Sequence, residues 1–136
     1  MTIHSRKLKR LDLSIGGESF EAQLKTFKMV NDTDDPEPIY TFGPDGEDRE
    51  EADPAYTLEA TFFADWRVNG ISDWLWTHNG QVVAFSIVLH PDTPAETVQW
   101  EGELKIKAPD VGGDARATEE TEVKFAVIGE PTYSRP

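Results

Sequence analysis

The segment TVQWEGELKIK, residues 97–107, alternates apolar and polar side chains over its whole length. Val98, Trp100, Leu104 and Ile106 share one parity, and Gln, Glu and Lys occupy the other. A period of two indicates a β-strand with one face buried and one in water, because successive side chains point to opposite faces of a sheet. A chain built from such segments folds as an antiparallel sheet with one polar face.

A β-hairpin is predicted near the start of the chain. Residues 8–15 and 18–30 flank Gly16 and Gly17, a pair that accepts positive φ at both turn positions. The second run changes its apolar parity near Lys25, which predicts a β-bulge at that point.

Three further runs complete a set of six predicted strands. Residues 56–64 and 118–128 alternate between apolar and polar. Residues 81–89 are apolar on both parities, which predicts a central strand covered on both faces. The resulting fold class is mainly β, an antiparallel β-sandwich or a curved sheet.

One short helix interrupts the β pattern at NGISDWLWTHNG, residues 69–80. Its apolar residues and His78 recur at helical spacing, which predicts about two turns lying on the sheet with the tryptophan side. Ser72 or Asp73 is expected to cap its start and Gly80 to end it. The residues expected to pack against the sheet are Ile71, Trp74 and Leu75.

A long acidic segment spans residues 31–53. It holds ten acidic residues and one Arg, so it carries −9 of the chain's net charge of −13. Its three prolines and two glycines oppose regular structure, so we expect a long irregular loop. The apolar stretch Ile39–Phe42 in its middle predicts that the loop packs against another surface. With 136 residues, the chain is expected to form a single domain, 1–136.

Catalytic and metal-binding patterns are absent from the sequence. His4, His78 and His90 have no second ligand at a metal-binding spacing, and no Gly-x-Ser-x-Gly turn or phosphate-binding loop occurs. The acidic segment does not match the calcium-binding helix–loop–helix pattern, and a solvated loop accounts for it better. Trp66 and Trp76 are less committed to a core than the other two tryptophans. We expect no enzymatic activity, no metal and no cofactor.

Three features follow one another along the chain: the long acidic loop after the first hairpin, the Trp-containing helix after the third strand, and the closing EGELKIKAPDVGGDA…TEETEVKFAVIGEPT. In this order they resemble the tail tube (major tail) proteins of long-tailed bacteriophages, in particular those of actinobacterial phages. The resemblance is strongest from residue 66 to residue 132. The C-terminal immunoglobulin-like domain that some of these proteins carry is not expected here.

The resemblance implies a structural virion protein whose hexameric rings stack into a hollow tube that conducts DNA from capsid to host. Sheets of neighbouring copies would join into one barrel around the lumen, with the helix on its outer side. The long loop would contact the adjacent ring through Ile39, Tyr40, Phe42, Asp45 and Glu47. Polar residues opposite the core parity would line the lumen, and the candidates are Glu21, Gln23, Lys25, Thr57, Glu59, Thr61, Glu101, Glu103 and Glu122.

The partners implied are further copies of the chain, a tape-measure protein, tail-end proteins and passing DNA that is touched without sequence-specific binding. An acidic conduit would repel phosphates. We expect synthesis in the bacterial host cytoplasm, location in the virion tail and no membrane insertion, because no apolar run approaches about 20 residues. Two alternatives remain open: another ring protein of a phage tail or type VI-like injection machine, and a free-standing β-sandwich that binds carbohydrate.

Overall fold

The computed structural model describes residues 2–43, 46–50 and 52–135. Within them, seven strands form one antiparallel sheet curved into a half-barrel, in the order β2-β1-β7-β8-β9-β6-β3, and two strands form a separate pair, β4-β5. The elements are β1 Leu11–Ile15, β2 Glu18–Ser19, β3 Leu24–Asn31, β4 Glu37–Tyr40, β5 Glu47–Glu50, β6 Tyr56–Phe63, α1 Ile71–Thr77, β7 Val82–Leu89, β8 Val98–Lys105 and β9 Glu120–Ser134. The mainly β class with one short helix is confirmed, and of the two forms left open the structure has the curved sheet.

The prediction of the first hairpin is confirmed for its turn and is wrong for its second strand. Gly16 and Gly17 have φ of 62° and 86°, as a tight hairpin turn requires. The returning strand β2 is only two residues long, because Phe20 turns inward and packs against Trp74 with ring centroids 5.5 Å apart. A 3-10 turn at Glu21–Gln23 then carries the chain to the opposite edge of the sheet, where β3 pairs with β6. The predicted bulge is confirmed between Leu24 and Thr26.

The central strand β7 is covered on one face only, so the prediction that both faces are covered is wrong. Phe85 and Ile87 are buried, whereas Val82 is 50% exposed and Ala84 is exposed. Apolar side chains on both parities therefore do not show that a second layer is present. In the described part of the chain no second sheet lies over the outer face.

The acidic segment 31–53 is more regular than predicted, because β4 and β5 form an antiparallel hairpin inside it. Ile39 and Tyr40, which belong to the apolar stretch, lie on β4, and β-branched and aromatic residues favour strands. The prediction of a loop gave more weight to the acidic excess of the whole segment than to the strand propensity of these few residues. Asp45 lies outside the described residues.

The helix α1 lies on the core face of the sheet, as predicted, with Ile71, Trp74 and Leu75 buried. The predicted caps are wrong at its start, where the N-cap is Gly70. A side chain there is impossible without movement, since a Cβ would lie 2.5 Å from the Asp65 carboxyl carbon. Ser72 instead points into the core, where its hydroxyl lies 3.0 Å from that of Thr121 on β9.

The last strand is longer than the alternation indicated. Val123, Phe125 and Val127 are buried as predicted, but β9 continues to Ser134. Its pairing with β8 shifts register between Glu101 and Glu103, and beyond the shift it places Thr132 opposite Glu101. This extension makes β9 the strand that links both halves of the sheet.

Candidate functional site

The sheet has one polar face, directed away from the core and from α1, which we call the open face. Cross-strand partners share a face in an antiparallel sheet, so the register identifies its residues. Lys28 is opposite Glu59, Glu59 is opposite Lys124, and Thr61 is opposite Glu122. Seven of the nine residues predicted to line a lumen reach this face: Lys25, Thr57, Glu59, Thr61, Glu101, Glu103 and Glu122.

The other two candidates are not on a strand. Glu21 and Gln23 lie in the 3-10 turn that connects the two edges of the sheet. The parity argument failed here because it assumed an unbroken second strand, and the inward turn at Phe20 ends that strand. Neither residue belongs to the open face.

Charges on the open face are nearly balanced. Lys124 Nζ lies 3.6 Å from Glu59 Oε1, and Lys25 Nζ donates to Glu120 Oε1 at 2.6 Å. Exposed pairs of this kind contribute about 0–1 kcal/mol each, so they shape the surface potential more than they stabilise the fold. Among the described residues that the strand register or the Lys25–Glu120 contact places on this face, six are acidic and four are lysines, a net charge of −2: Asp12, Glu59, Glu101, Glu103, Glu120 and Glu122 against Lys25, Lys28, Lys105 and Lys124.

This balance bears on the expected acidic conduit, because little of the acidity of the chain lies on the sheet. The open face holds −2 of a total of −13, whereas the segment 31–53 holds −9. The strong negative charge is therefore concentrated in the chain segment between β3 and β6. It is not spread over the polar face.

A shallow cavity of about 380 Å³ lies on the open face, where the connection from β8 to β9 passes over it. Pro109 is buried there, and the backbone N–H of Ala108 donates to Asn79 Oδ1 at 2.8 Å, which fixes the connection against the end of α1. Glu59, Lys124 and their neighbours line it. The described residues contain no cluster of three or more side chains that could hold a metal ion.

Both edges of the sheet are largely unpaired within the described residues. At one edge β3 pairs with β6 on its inner side only. At the other edge β2 covers β1 at Ser14 and Ile15, and the Phe20 N–H donates to the Leu13 carbonyl, so Leu11 and Asp12 are the β1 residues without an outer partner among the described residues. An open edge carries a row of unpaired N–H and C=O groups that can pair with another chain.

The β4-β5 hairpin exposes large apolar side chains. Ile39 is 42% exposed, Tyr40 73% and Phe42 fully. These are three of the five residues predicted to contact an adjacent ring, and Glu47 lies on β5. Their exposure leaves them available for such a contact, and the contact itself stays a prediction.

Two tryptophans stay at the surface, as the alternative carbohydrate-binding reading requires. Trp66 and Trp76 are each 47% exposed, and Trp66 Nε1 donates to Glu119. Next to Trp66, Asp65 accepts hydrogen bonds from the backbone and side chain of Arg67. These bonds and the charge of Arg67 hold the pKa of Asp65 below its ordinary value.

Sequence reasoning assigned no role to a basic segment ahead of β1. Arg6, Lys7, Lys9 and Arg10 lie within seven residues of an otherwise acidic chain, and the run HSRKLKR is visible without any structure. His4 and Arg6 are tied to the body of the protein through Glu96. Burial opposes ionisation of Glu96, but the hydrogen bond from His4 and the charge of Arg6 hold the pKa of that carboxyl below its usual range.

No helix in the described ranges has the length and apolar character needed to cross a membrane. No known family model matches this chain, and no curated protein is similar to it in sequence.

Proposed function

We propose that this protein is a self-assembling structural protein that forms hollow tubes, as tail tube proteins of long-tailed bacteriophages do. Hexameric rings would stack into the tail tube that conducts DNA from capsid to host cell. The observation that carries the proposal is the pair of unpaired edges on one curved sheet. A protein of this kind requires self-complementary edges and no catalytic centre.

The two edges are complementary in direction. Between β1 and β3 the sheet makes five successive antiparallel pairings, through β7, β8, β9 and β6, so β1 and β3 run in opposite directions. The free edge of β3 in one copy can therefore pair with β1 of the next and continue the antiparallel pattern. Repeating that step around a ring closes a curved sheet into a barrel and removes its open edges.

The open face would then line the lumen, and α1 would lie on the outer side. A polar wall with a net charge of −2 per copy offers DNA no strong attraction, because its lysines lie among carboxylates. DNA would pass with transient, sequence-independent contact. The β4-β5 hairpin, with its exposed Ile39, Tyr40 and Phe42, would reach a neighbouring copy in the stack.

In a phage particle the further partners would be a tape-measure protein and tail-end proteins, and the location would be the virion tail. Another ring protein of a phage tail or type VI-like injection machine would use the same edges to form its rings. The resemblance of residues 66–132 to tail tube proteins favours the tube.

The test is sedimentation velocity across a concentration series, with negative-stain electron microscopy of each fraction. We expect rings or hollow tubes whose share rises with concentration. A strictly monomeric protein across concentration and salt would refute the proposal. Monomers whose tryptophan fluorescence shifts with added oligosaccharide would support the carbohydrate-binding alternative, in which Trp66 and Trp76 form the platform.

A further inference from the structure

We propose that a seam of opposite charges fixes the contact between neighbouring copies: Asp32, Asp34 and Asp35 of one copy lie against Lys7, Lys9 and Arg10 of the next. This inference rests on the proposed function, because it requires β3 of one copy to pair with β1 of another. It adds which side chains set the register of that pairing.

The register makes the two charged runs extend the sheet in the same direction, with Asn31 level with Val127 of β9 and Leu11 level with the last residues of β9. Leu11, where β1 begins, is opposite Leu89, and Leu89 is opposite Val98 at the start of β8. The start of β8 pairs with the last residues of β9. Asn31, where β3 ends, is opposite Tyr56, which pairs with Val127 on the same β9. Both the start of β1 and the end of β3 therefore point along β9 toward its C-terminal end.

Antiparallel pairing of β3 with β1 of a second copy brings these runs together. The residues that follow Asn31 then run beside the residues that precede Leu11. The first run is DTDD, residues 32–35, and the second, read backward from position 10, is RKLK. With Asn31 beside Leu11, Asp32 is opposite Arg10 and Asp35 is opposite Lys7, and the third carboxylate and the third cation lie in adjacent rows between them.

The six side chains have no competing ion pair within the described residues, and all are exposed. Arg6 differs, because it is already engaged with Glu96, and so it is not part of the seam. Apolar side chains accompany the basic run, with Leu8 53% exposed. The two segments therefore carry opposite charge, and the basic one has an exposed leucine that a contact would cover.

The two runs of a single chain are separated by the sheet. Four strands lie between β1 and β3, and five inter-strand steps of about 4.8 Å amount to roughly 24 Å along the sheet. Neighbouring edge strands of two copies are separated by one such step. No ion pair joins the two runs among the described residues of one copy, so their opposite charges are available to a neighbouring copy.

Charge reversal tests the seam with variants that control one another. The first variant is Lys7→Glu/Lys9→Glu/Arg10→Glu, and the second is Asp32→Lys/Asp34→Lys/Asp35→Lys. Alone, each variant places like charges on both sides of every seam. We expect each to raise the protein concentration needed for assembly at least about tenfold in 0.1 M salt, because three exposed pairs change from attractive to repulsive. In 1 M salt the difference from the parent protein is expected to shrink, since the Debye length falls to about 3 Å.

Mixing the two variants restores complementarity, because each acidic seam then meets a basic one. We expect an equimolar mixture to assemble in alternation near the parent concentration, as should a single chain that carries all six substitutions. The urea midpoint of each monomeric variant is the folding control and should match that of the parent. The substitutions lie in exposed segments outside the strands.

Each remaining outcome decides against the seam. If the parent forms tubes and both variants assemble as well as it does, the seam is refuted while the tube function stands. If both variants fail and neither the mixture nor the six-fold variant recovers, these charges do not meet across copies. If parent assembly depends on nucleic acid and is lost after nuclease treatment, the basic run binds phosphate and the seam is likewise overturned. A parent that never assembles refutes the proposed function first.

Discussion

Gly16 is a position where one added methyl group should disturb the packing of the first turn against the core. It lies in the turn between β1 and β2 with φ of 62°, and its neighbour Gly17 has φ of 86°. An alanine Cβ at Gly16 would lie 2.7 Å from Trp74 Cζ2, whereas one at Gly17 would meet nothing within 4 Å. The two substitutions therefore share a backbone penalty and differ in one contact.

Trp74 has little freedom to yield to the added atom. Its indole stacks on His78 with ring centroids 4.3 Å apart, and Phe20 lies on it at 5.5 Å. Holding an L-residue at positive φ costs about 1–2 kcal/mol. Crowding a packed core adds about 1–3 kcal/mol. We therefore expect Gly17→Ala to lower the unfolding free energy by about 1–2 kcal/mol and Gly16→Ala by about 2–5 kcal/mol.

Equilibrium unfolding in urea measures both values, with tryptophan fluorescence as the signal and protein dilute enough to be monomeric. The m-values should be unchanged, so that the midpoints report stability alone. If Gly16→Ala and Gly17→Ala are equally destabilising, the packing of the turn against Trp74 does not restrict this position and the reasoning fails.

Further substitutions test three separate features of the protein. Ser72→Ala should lower the unfolding free energy measured in urea by about 1–3 kcal/mol, because it leaves the buried Thr121 hydroxyl and the Asp65 N–H without their partner. Thr121→Val should lower it less, and equal losses in the two variants would contradict this interpretation. Leu75→Ala should cost about 2–5 kcal/mol, since Leu75 is fully buried on α1, whereas half-exposed Trp76 is the control and should tolerate Ala far better. The pKa of Asp65 is lowered by Arg67, so its stabilising contribution is present above its unfolded value and lost as the pH falls through the folded pKa. An NMR titration measures the pKa of Asp65, which should rise in Arg67→Ala. The unfolding free energy of Asp65→Asn should also fall less steeply at acid pH than that of the parent. A pKa of Asp65 that Arg67→Ala leaves unchanged would contradict this prediction.

The strands with clean alternation could be predicted from sequence because the physical cause is local. Leu104 and Ile106, like Val123 and Phe125, alternate with charged residues and are buried as predicted. The helix α1 could be predicted for the same reason, since the apolar residues of its two turns lie on one face and that face packs against the core. Each of these signals lies within a window of ten residues or so.

The misplaced elements depend on contacts between distant residues. The second strand ends early because Phe20 packs on Trp74, a residue 54 positions away in the chain. Ser72 is not a cap because its hydroxyl meets Thr121. No local pattern reports such pairings. The edges of the sheet, on which the proposed function rests, could not be identified before the strand order was known.

The arrangement of charge links the proposed assembly to the proposed conduit. Of the net −13, the segment 31–53 holds −9, while the open face holds −2. Charge that projects from an edge can act between copies, where a cation-rich segment lies on the opposite edge. Charge on the open face would act on DNA in the proposed lumen. On that face Lys124 pairs with Glu59, and Lys25 pairs with Glu120. Under the proposed assembly an acidic protein would make a wall with little net field, because most of its net negative charge would lie at the contacts between copies. Under this proposal DNA passes freely because the wall has few unpaired cations, and strong repulsion is not required.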